Sequence, residues 1–206
     1  MALIYVMDPM CSWCWAFQHP LQQLTERLNP DIQVLCYMGG LAPDSDQPMD
    51  PELRQAIQYT WQQIEARTGT RFNHDFWTQC QPRRSTYPAC RAVISAESME
   101  PGAGMKMIRA IQEGYYLQAR NPSDASTLTE LAVETGLDGD TFSAVLHNPE
   151  TEQALQADLR FSHSIGVQGF PFLACQSDAG IEPLAVGYCS EEQLLARAEK
   201  LGILRD

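Results

Sequence analysis

Positive charge is scarce in this chain: 14 Lys and Arg stand against 26 Asp and Glu, for a formal net charge of −12, and the basic residues are scattered. Nucleic acid binding needs a basic patch to neutralise phosphates, and a membrane surface attracts clustered Lys and Arg, so both partners are disfavoured. An acidic surface steers weakly toward cationic or neutral partners, but solubility alone accounts for such a charge. Long apolar runs are also missing, and nothing approaches the roughly 18–20 residues of a membrane span. The apolar start, Met1-Ala2-Leu3-Ile4-Tyr5-Val6-Met7, has no basic residues ahead of it. It reads as a first strand rather than a signal peptide, which implies a cytoplasmic protein. Metal ligands are sparse: His19, His74, His147 and His163 are dispersed, and no second Cys-x-x-Cys completes the four ligands of a structural zinc site. Internal repeats and low-complexity segments are absent. What remains is a chain of 206 residues, 44 % hydrophobic and 19 % charged, that can bury a core as one domain or one domain with a large insertion.

The seven cysteines are Cys11, Cys14, Cys36, Cys80, Cys90, Cys175 and Cys189. Their number is odd and the chain is too long to need stapling, which points to a reducing compartment. Only Cys11 and Cys14 have a motif spacing, inside Asp8-Pro9-Met10-Cys11-Ser12-Trp13-Cys14-Trp15-Ala16-Phe17. A strand followed by a helix would put Cys11 at the helix N-terminus, where free N–H groups and the helix dipole stabilise an anion. Such a setting lowers a thiol from about 8.5 toward roughly 3.5–7.5 and makes it a nucleophile. Cys14, one turn further on, could then attack the mixed disulfide formed at Cys11 and release the product. Zinc binding, an inert disulfide and simple core packing are the competing roles. The other five cysteines read as small buried hydrophobes. Cys80 and Cys90 could meet across a loop. Cys175 and Cys189 could not, because a hairpin turning near 178–179 sets Cys175 opposite Glu182, and a disulfide needs Cα atoms within about 7 Å.

Along the chain, residues 2–7 form a near-continuous apolar strand. Cys14, Phe17, Leu21, Leu24 and Leu28 then make a helical stripe, with a kink expected at Pro20. Residues 32–38 alternate as a second strand before Gly39-Gly40. From a polar boundary at 41–50 to about residue 160 the pattern is helical. Asp50-Pro51 opens a helix that stops near Gly69, and others follow at 86–99, 103–118, 124–135, 138–147 and 150–165. The C-terminal part has strands at 171–176 and 181–187, then a helix capped by Ser190. The order is βαβ, a helical block, then ββα, which is the strand order of a thioredoxin fold once the middle is set aside. Gly169-Phe170-Pro171-Phe172 stands at the head of the third strand, where a Pro that cannot donate to the ladder needs a reason.

In these features the sequence resembles the DsbA-like branch of the thioredoxin superfamily, and most of all its signal-less FrnE-type members. These are relatives of 2-hydroxychromene-2-carboxylate isomerases and kappa-class glutathione transferases. The resemblance rests on Asp8-Pro9-x-Cys11-x-Trp13-Cys14, on the inserted helices with Arg84-Ser85 and Tyr115, and on Gly166-Val167-x-Gly169-x-Pro171. It implies an α/β thioredoxin fold, residues 1–45 and 160–206, carrying an inserted helical domain over 46–159. It implies Cys11 as nucleophile, Cys14 as resolving cysteine and Pro171 as a cis-proline facing them. Phe170 would then offer its backbone to an extended substrate, with Gly169 and Trp13 lining the same surface. Asp8, three residues before Cys11, is a candidate proton acceptor for Cys14, the alternatives being a helix cap or a solvent-facing side chain. Trp15 reads as core.

The chain also departs from that pattern. DsbA has Pro-His between its cysteines where this chain has Ser12-Trp13, so its strong oxidising power does not carry over. The implied activity is a reductase- or isomerase-type thiol–disulfide exchange on protein or small-molecule disulfides. It needs no resident cofactor or metal, and glutathione enters only as a redox partner. The alternative is a glutathione-dependent isomerase or transferase. Those relatives carry serine where Cys11 stands here.

Overall fold

The structure, a computed structural model, describes residues 1–205. Its centre is strand β1 (Ala2–Met7), which is almost wholly buried because both of its faces are apolar. Leu3, Tyr5 and Met7 point into the larger core, and Ile4 and Val6 into a smaller one with Phe172 and Ala174. β1 pairs in parallel with β2 (Gln33–Met38) and antiparallel with β3 (Phe172–Ser177). β3 in turn pairs antiparallel with β4 (Gly180–Val186), giving the sheet order β2-β1-β3-β4. Cys175 lies opposite Glu182, as the hairpin arithmetic requires, and the register shifts between Leu173 and Ala174 beside Pro183 on the edge strand.

The helix after β1 is divided in two, α1 (Ser12–Ala16) and α2 (Gln18–Arg27), with the join at Phe17 rather than at Pro20. A proline removes the hydrogen bond to the carbonyl four residues earlier, and its ring crowds that carbonyl. For Pro20 that carbonyl belongs to Ala16, which is where the helix is interrupted. Leu21, Leu24 and Leu28 keep their stripe against the core.

Between β2 and β3 lie α3 (Pro51–Thr68), α4 (Phe76–Gln79), α5 (Tyr87–Met99), α6 (Ala103–Leu117), α7 (Ala125–Glu134), α8 (Gly139–Leu146) and α9 (Pro149–Ser164). Asp50 caps α3 through the N–H groups of Glu52 and Leu53, and Gly69 closes it in a left-handed conformation at φ 72°. The four-residue α4 has no counterpart in the sequence reading, being too short to show a period. It brings Phe76 and Trp77 against Trp61, Phe72, Tyr115 and Tyr116 in an aromatic core of its own. At the end of α9, Phe161 packs with its ring centre 4.2 Å from that of Tyr37, tilted by 33°, in the smaller core. α10 (Glu191–Lys200) begins with a capping box between Ser190 and Gln193. Among the described residues no helix is long and apolar enough to cross a membrane. The result is a thioredoxin-like α/β fold with a four-stranded sheet and an inserted helical region.

Candidate active site

β1 ends at Met7, and Asp8-Pro9-Met10 turns the chain so that Cys11 becomes the N-cap of α1, extended at φ −81° and ψ 114°. The turn is closed by the Cys11 N–H on the Asp8 carbonyl at 3.0 Å and by the Met10 N–H on Asp8 Oδ1 at 2.7 Å. The two cysteines then differ in access: Cys11 keeps 7 % of its surface exposed, and Cys14 is sealed. Burial, followed by the adjoining Cys11 sulfur, pushes the Cys14 thiol well above its ordinary value, so it holds its proton. The peptide bond between Phe170 and Pro171 is cis. The Phe170 carbonyl lies 3.8 Å from Cys11 Sγ across 159 residues of sequence. The Phe170 ring fills the space beside Gly39 where any Cβ would have to stand.

Asp8 is completely buried, so the solvent-facing alternative does not hold. Oδ1 accepts from Met10 N–H. Oδ2 accepts from Leu41 N–H at 2.7 Å, from the Thr86 hydroxyl at 2.6 Å and from the Cys90 thiol at 3.6 Å. Burial raises the Asp8 carboxyl above its usual range, and the donors oppose that rise. Cys90 is held protonated by burial and by the Asp8 charge. Thr86 and Cys90 escaped the sequence reading, because nothing local marks them as neighbours of residue 8.

Trp13 is half-buried, its ring 5.5 Å from that of Tyr188. The Arg67 guanidinium lies over both rings, at 5.5 Å from Trp13 and 5.6 Å from Tyr188. Trp15, expected in the core, is only half-buried. It stacks on Tyr116 and donates Nε1–H to the Arg71 carbonyl at 3.1 Å. The Cys11 loop thus touches both the sheet and the aromatic core of the inserted helices.

The family model described as Thioredoxin matches residues 4–183. The chain belongs to this thioredoxin family. Among solved structures, a Nitrosomonas europaea protein provisionally named a protein disulfide isomerase superposes with a TM-score of 0.87 at 28 % identity, covering 97 % of this chain and 96 % of that one. The cytosolic disulfide reductase DsbM of Pseudomonas aeruginosa, also solved with GSH, gives a TM-score of 0.80 at 24 % identity over 98 % of this chain and 99 % of that one. Among curated proteins, the ClpXP adapter protein SpxH of Bacillus subtilis is 27 % identical over 195 residues, 92 % of this chain. The chain spans only 64 % of that relative's length.

Within this thioredoxin fold the remaining cysteines lie apart from the site or face other groups. Cys80 donates to the Ala119 carbonyl at 2.9 Å while Cys90 faces Asp8, so the two do not pair. Cys175 lies against Met1 Sδ at 3.9 Å. Burial, with the charges of Asp158 and Glu97, pushes Cys36 up to about 12. Among the described residues no group of three or more His, Cys, Asp or Glu side chains is arranged to hold a metal ion. A groove of about 1020 Å³ runs along the outer edge of β2, lined by Leu21, Val34, Cys36, Ile94, Ile108 and Asp158, away from Cys11 and Cys14.

Proposed function

We propose that this chain is a cytoplasmic thiol–disulfide oxidoreductase that reduces or isomerises disulfides of proteins or small molecules. The observation that carries the reading is the asymmetry of the pair: a reachable Cys11 sulfur facing the Phe170 carbonyl, and a sealed, protonated Cys14 one turn behind it. Cys11 attacks a substrate disulfide as the thiolate, and the substrate's departing sulfur leaves with the electron pair and takes up a proton. Cys14 then gives up its proton and attacks the Cys11 sulfur. The second substrate thiol is released, and the Cys11–Cys14 disulfide holds the oxidation. The Asp8 charge is felt at the Cys14 thiol and burial raises the Asp8 carboxyl, which supports Asp8 as the acceptor of the Cys14 proton. Gly169, Phe170 and Pro171 form one side of the substrate platform, with the Phe170 backbone available to an extended peptide, and Trp13 forms the other. Glutathione serves as a redox partner, with no resident cofactor. The likeness to the Nitrosomonas protein supports the same reading.

The test is insulin reduction by the wild-type protein and by Cys11→Ser and Cys14→Ser. The reading expects turnover in the wild type and its loss in Cys11→Ser. Full activity in both variants overturns it.

A second reading is favoured by the β2 groove together with the adapter named among the relatives. In it the chain binds an extended segment of a partner protein along an open sheet edge, without turnover. Catalytically silent wild-type protein that still captures such a segment would support it over the first.

A further inference from the structure

Arg67 stands in the last turn of α3, and its charge is fixed over the Trp13 and Tyr188 rings rather than over an acid. Among the described residues, only four of the twelve arginines are held by acids. Arg83 holds Asp124, Arg91 holds Asp44 and Glu152, Arg109 holds Glu113, and Arg120 holds Glu130 and Glu134. Among the described residues Arg67 makes no ion pair. The same is true of half-buried Arg84, whose charge reaches the Tyr115 hydroxyl in the aromatic core on which Trp13 packs. What sets Arg67 apart from the other unpaired arginines is its place, over the Trp13 and Tyr188 rings beside the cysteine loop. The Arg67 side chain is exposed and, among the described residues, donates no hydrogen bond, so beside its cation–π contact it has N–H groups to offer a carboxylate in two parallel hydrogen bonds.

We propose that Arg67 sets the substrate preference of the Cys11–Cys14 site by holding a carboxylate of the incoming disulfide. The substrates it favours are disulfides that carry carboxylates, such as glutathione disulfide, over those whose only charged groups are amines. The inference rests on the oxidoreductase reading above. The reaction is the two-electron exchange in which the reduced Cys11–Cys14 dithiol becomes a disulfide and the substrate disulfide becomes two thiols. The dithiol supplies both electrons and both protons, so a single turnover needs no other reductant.

The test mixes fully reduced protein with glutathione disulfide or with cystamine, which presents amines beside the same sulfur–sulfur bond. The single turnover is followed by tryptophan fluorescence and by acid quench with thiol alkylation. For Arg67→Gln the ratio of the glutathione rate to the cystamine rate is expected to fall about threefold to fivefold, the scale of one exposed ion pair. Arg67→Glu should lower it further, Arg67→Lys should restore part of it, and salt should shrink the wild-type ratio. Lys200→Glu makes the same charge change at the end of α10, by the sheet end where Ala2 and Gln33 pair, and should move the ratio by less than about twofold. A reactive wild type whose ratio is unchanged in Arg67→Gln and Arg67→Glu overturns this inference and leaves the oxidoreductase reading standing. A reduced wild type that reacts with neither disulfide overturns that reading, and this inference with it.

Discussion

The Thr86 hydroxyl donates to the buried Asp8 carboxylate at 2.6 Å, tying the strand end that carries the cysteine loop to the N-cap of α5. The same carboxylate takes the N–H groups of Met10 and Leu41, so three segments of chain meet on one buried acid. Removing it strands buried donors, each costing about 1–3 kcal/mol. Asp8→Ala should therefore lose about 2–4 kcal/mol of stability in urea unfolding, and Thr86→Val about 1–2 kcal/mol. A loss below about 0.5 kcal/mol in Asp8→Ala, the size of an ordinary surface change, contradicts the network.

Cys14→Ser keeps the Cys11 nucleophile and removes the group that resolves the mixed disulfide. Incubated with glutathione disulfide, this variant should accumulate one glutathione per chain on Cys11, read by intact mass and peptide mapping. The wild type should release its glutathione. Equal adduct in both proteins contradicts a resolving role for Cys14.

Gly39 donates its N–H to the Met7 carbonyl at 2.7 Å, and the Phe170 ring occupies the volume a side chain there would need. Gly39→Ala should cost about 1–3 kcal/mol as an overpacking change. The double variant Gly39→Ala with Phe170→Ala should lose less than the sum of the two single changes. Strict additivity would show that the two residues do not compete for this space.

The strands and most helices were legible in the sequence because their signals are local. The apolar run of 2–7, the Cys14-to-Leu28 stripe, the Asp50 and Ser190 caps and the 175-to-182 pairing each lie within one element or one hairpin. The helix break moved from Pro20 to Phe17 because the bond a proline deletes belongs to the residue four before it. The site was legible in its sulfurs and in the Gly169-to-Phe172 segment, but not in what surrounds them. Asp8 is buried by donors 33 and 78 residues away, and Trp13 is covered by Arg67 and Tyr188. No pattern of a few residues' period links such positions. A polar residue directly following a fully buried strand was the one available hint at Asp8.

Asp158 accepts the outward N–H of Met38 at 2.9 Å in the β2 groove, and burial pushes its carboxyl up to about 6. A carboxyl raised on folding binds its proton more tightly in the native state. Its stabilising contribution is complete below the ordinary value of 3.8 and is lost as pH rises through about 6. Stability measured from pH 3.5 to 7 should therefore fall more steeply in the wild type than in Asp158→Asn. The two curves should diverge by about 2–3 kcal/mol across that window. Parallel curves contradict the assignment.

The central claim is that Cys11 and Cys14 form the redox pair of this chain, and it is tested most directly by thiol mapping. Wild-type protein is equilibrated with glutathione disulfide, quenched, alkylated and digested. The account predicts a Cys11–Cys14 disulfide, with Cys36, Cys80, Cys90, Cys175 and Cys189 recovered as alkylated thiols. Recovery of Cys11 and Cys14 as free thiols, or a disulfide joining any other pair, contradicts it.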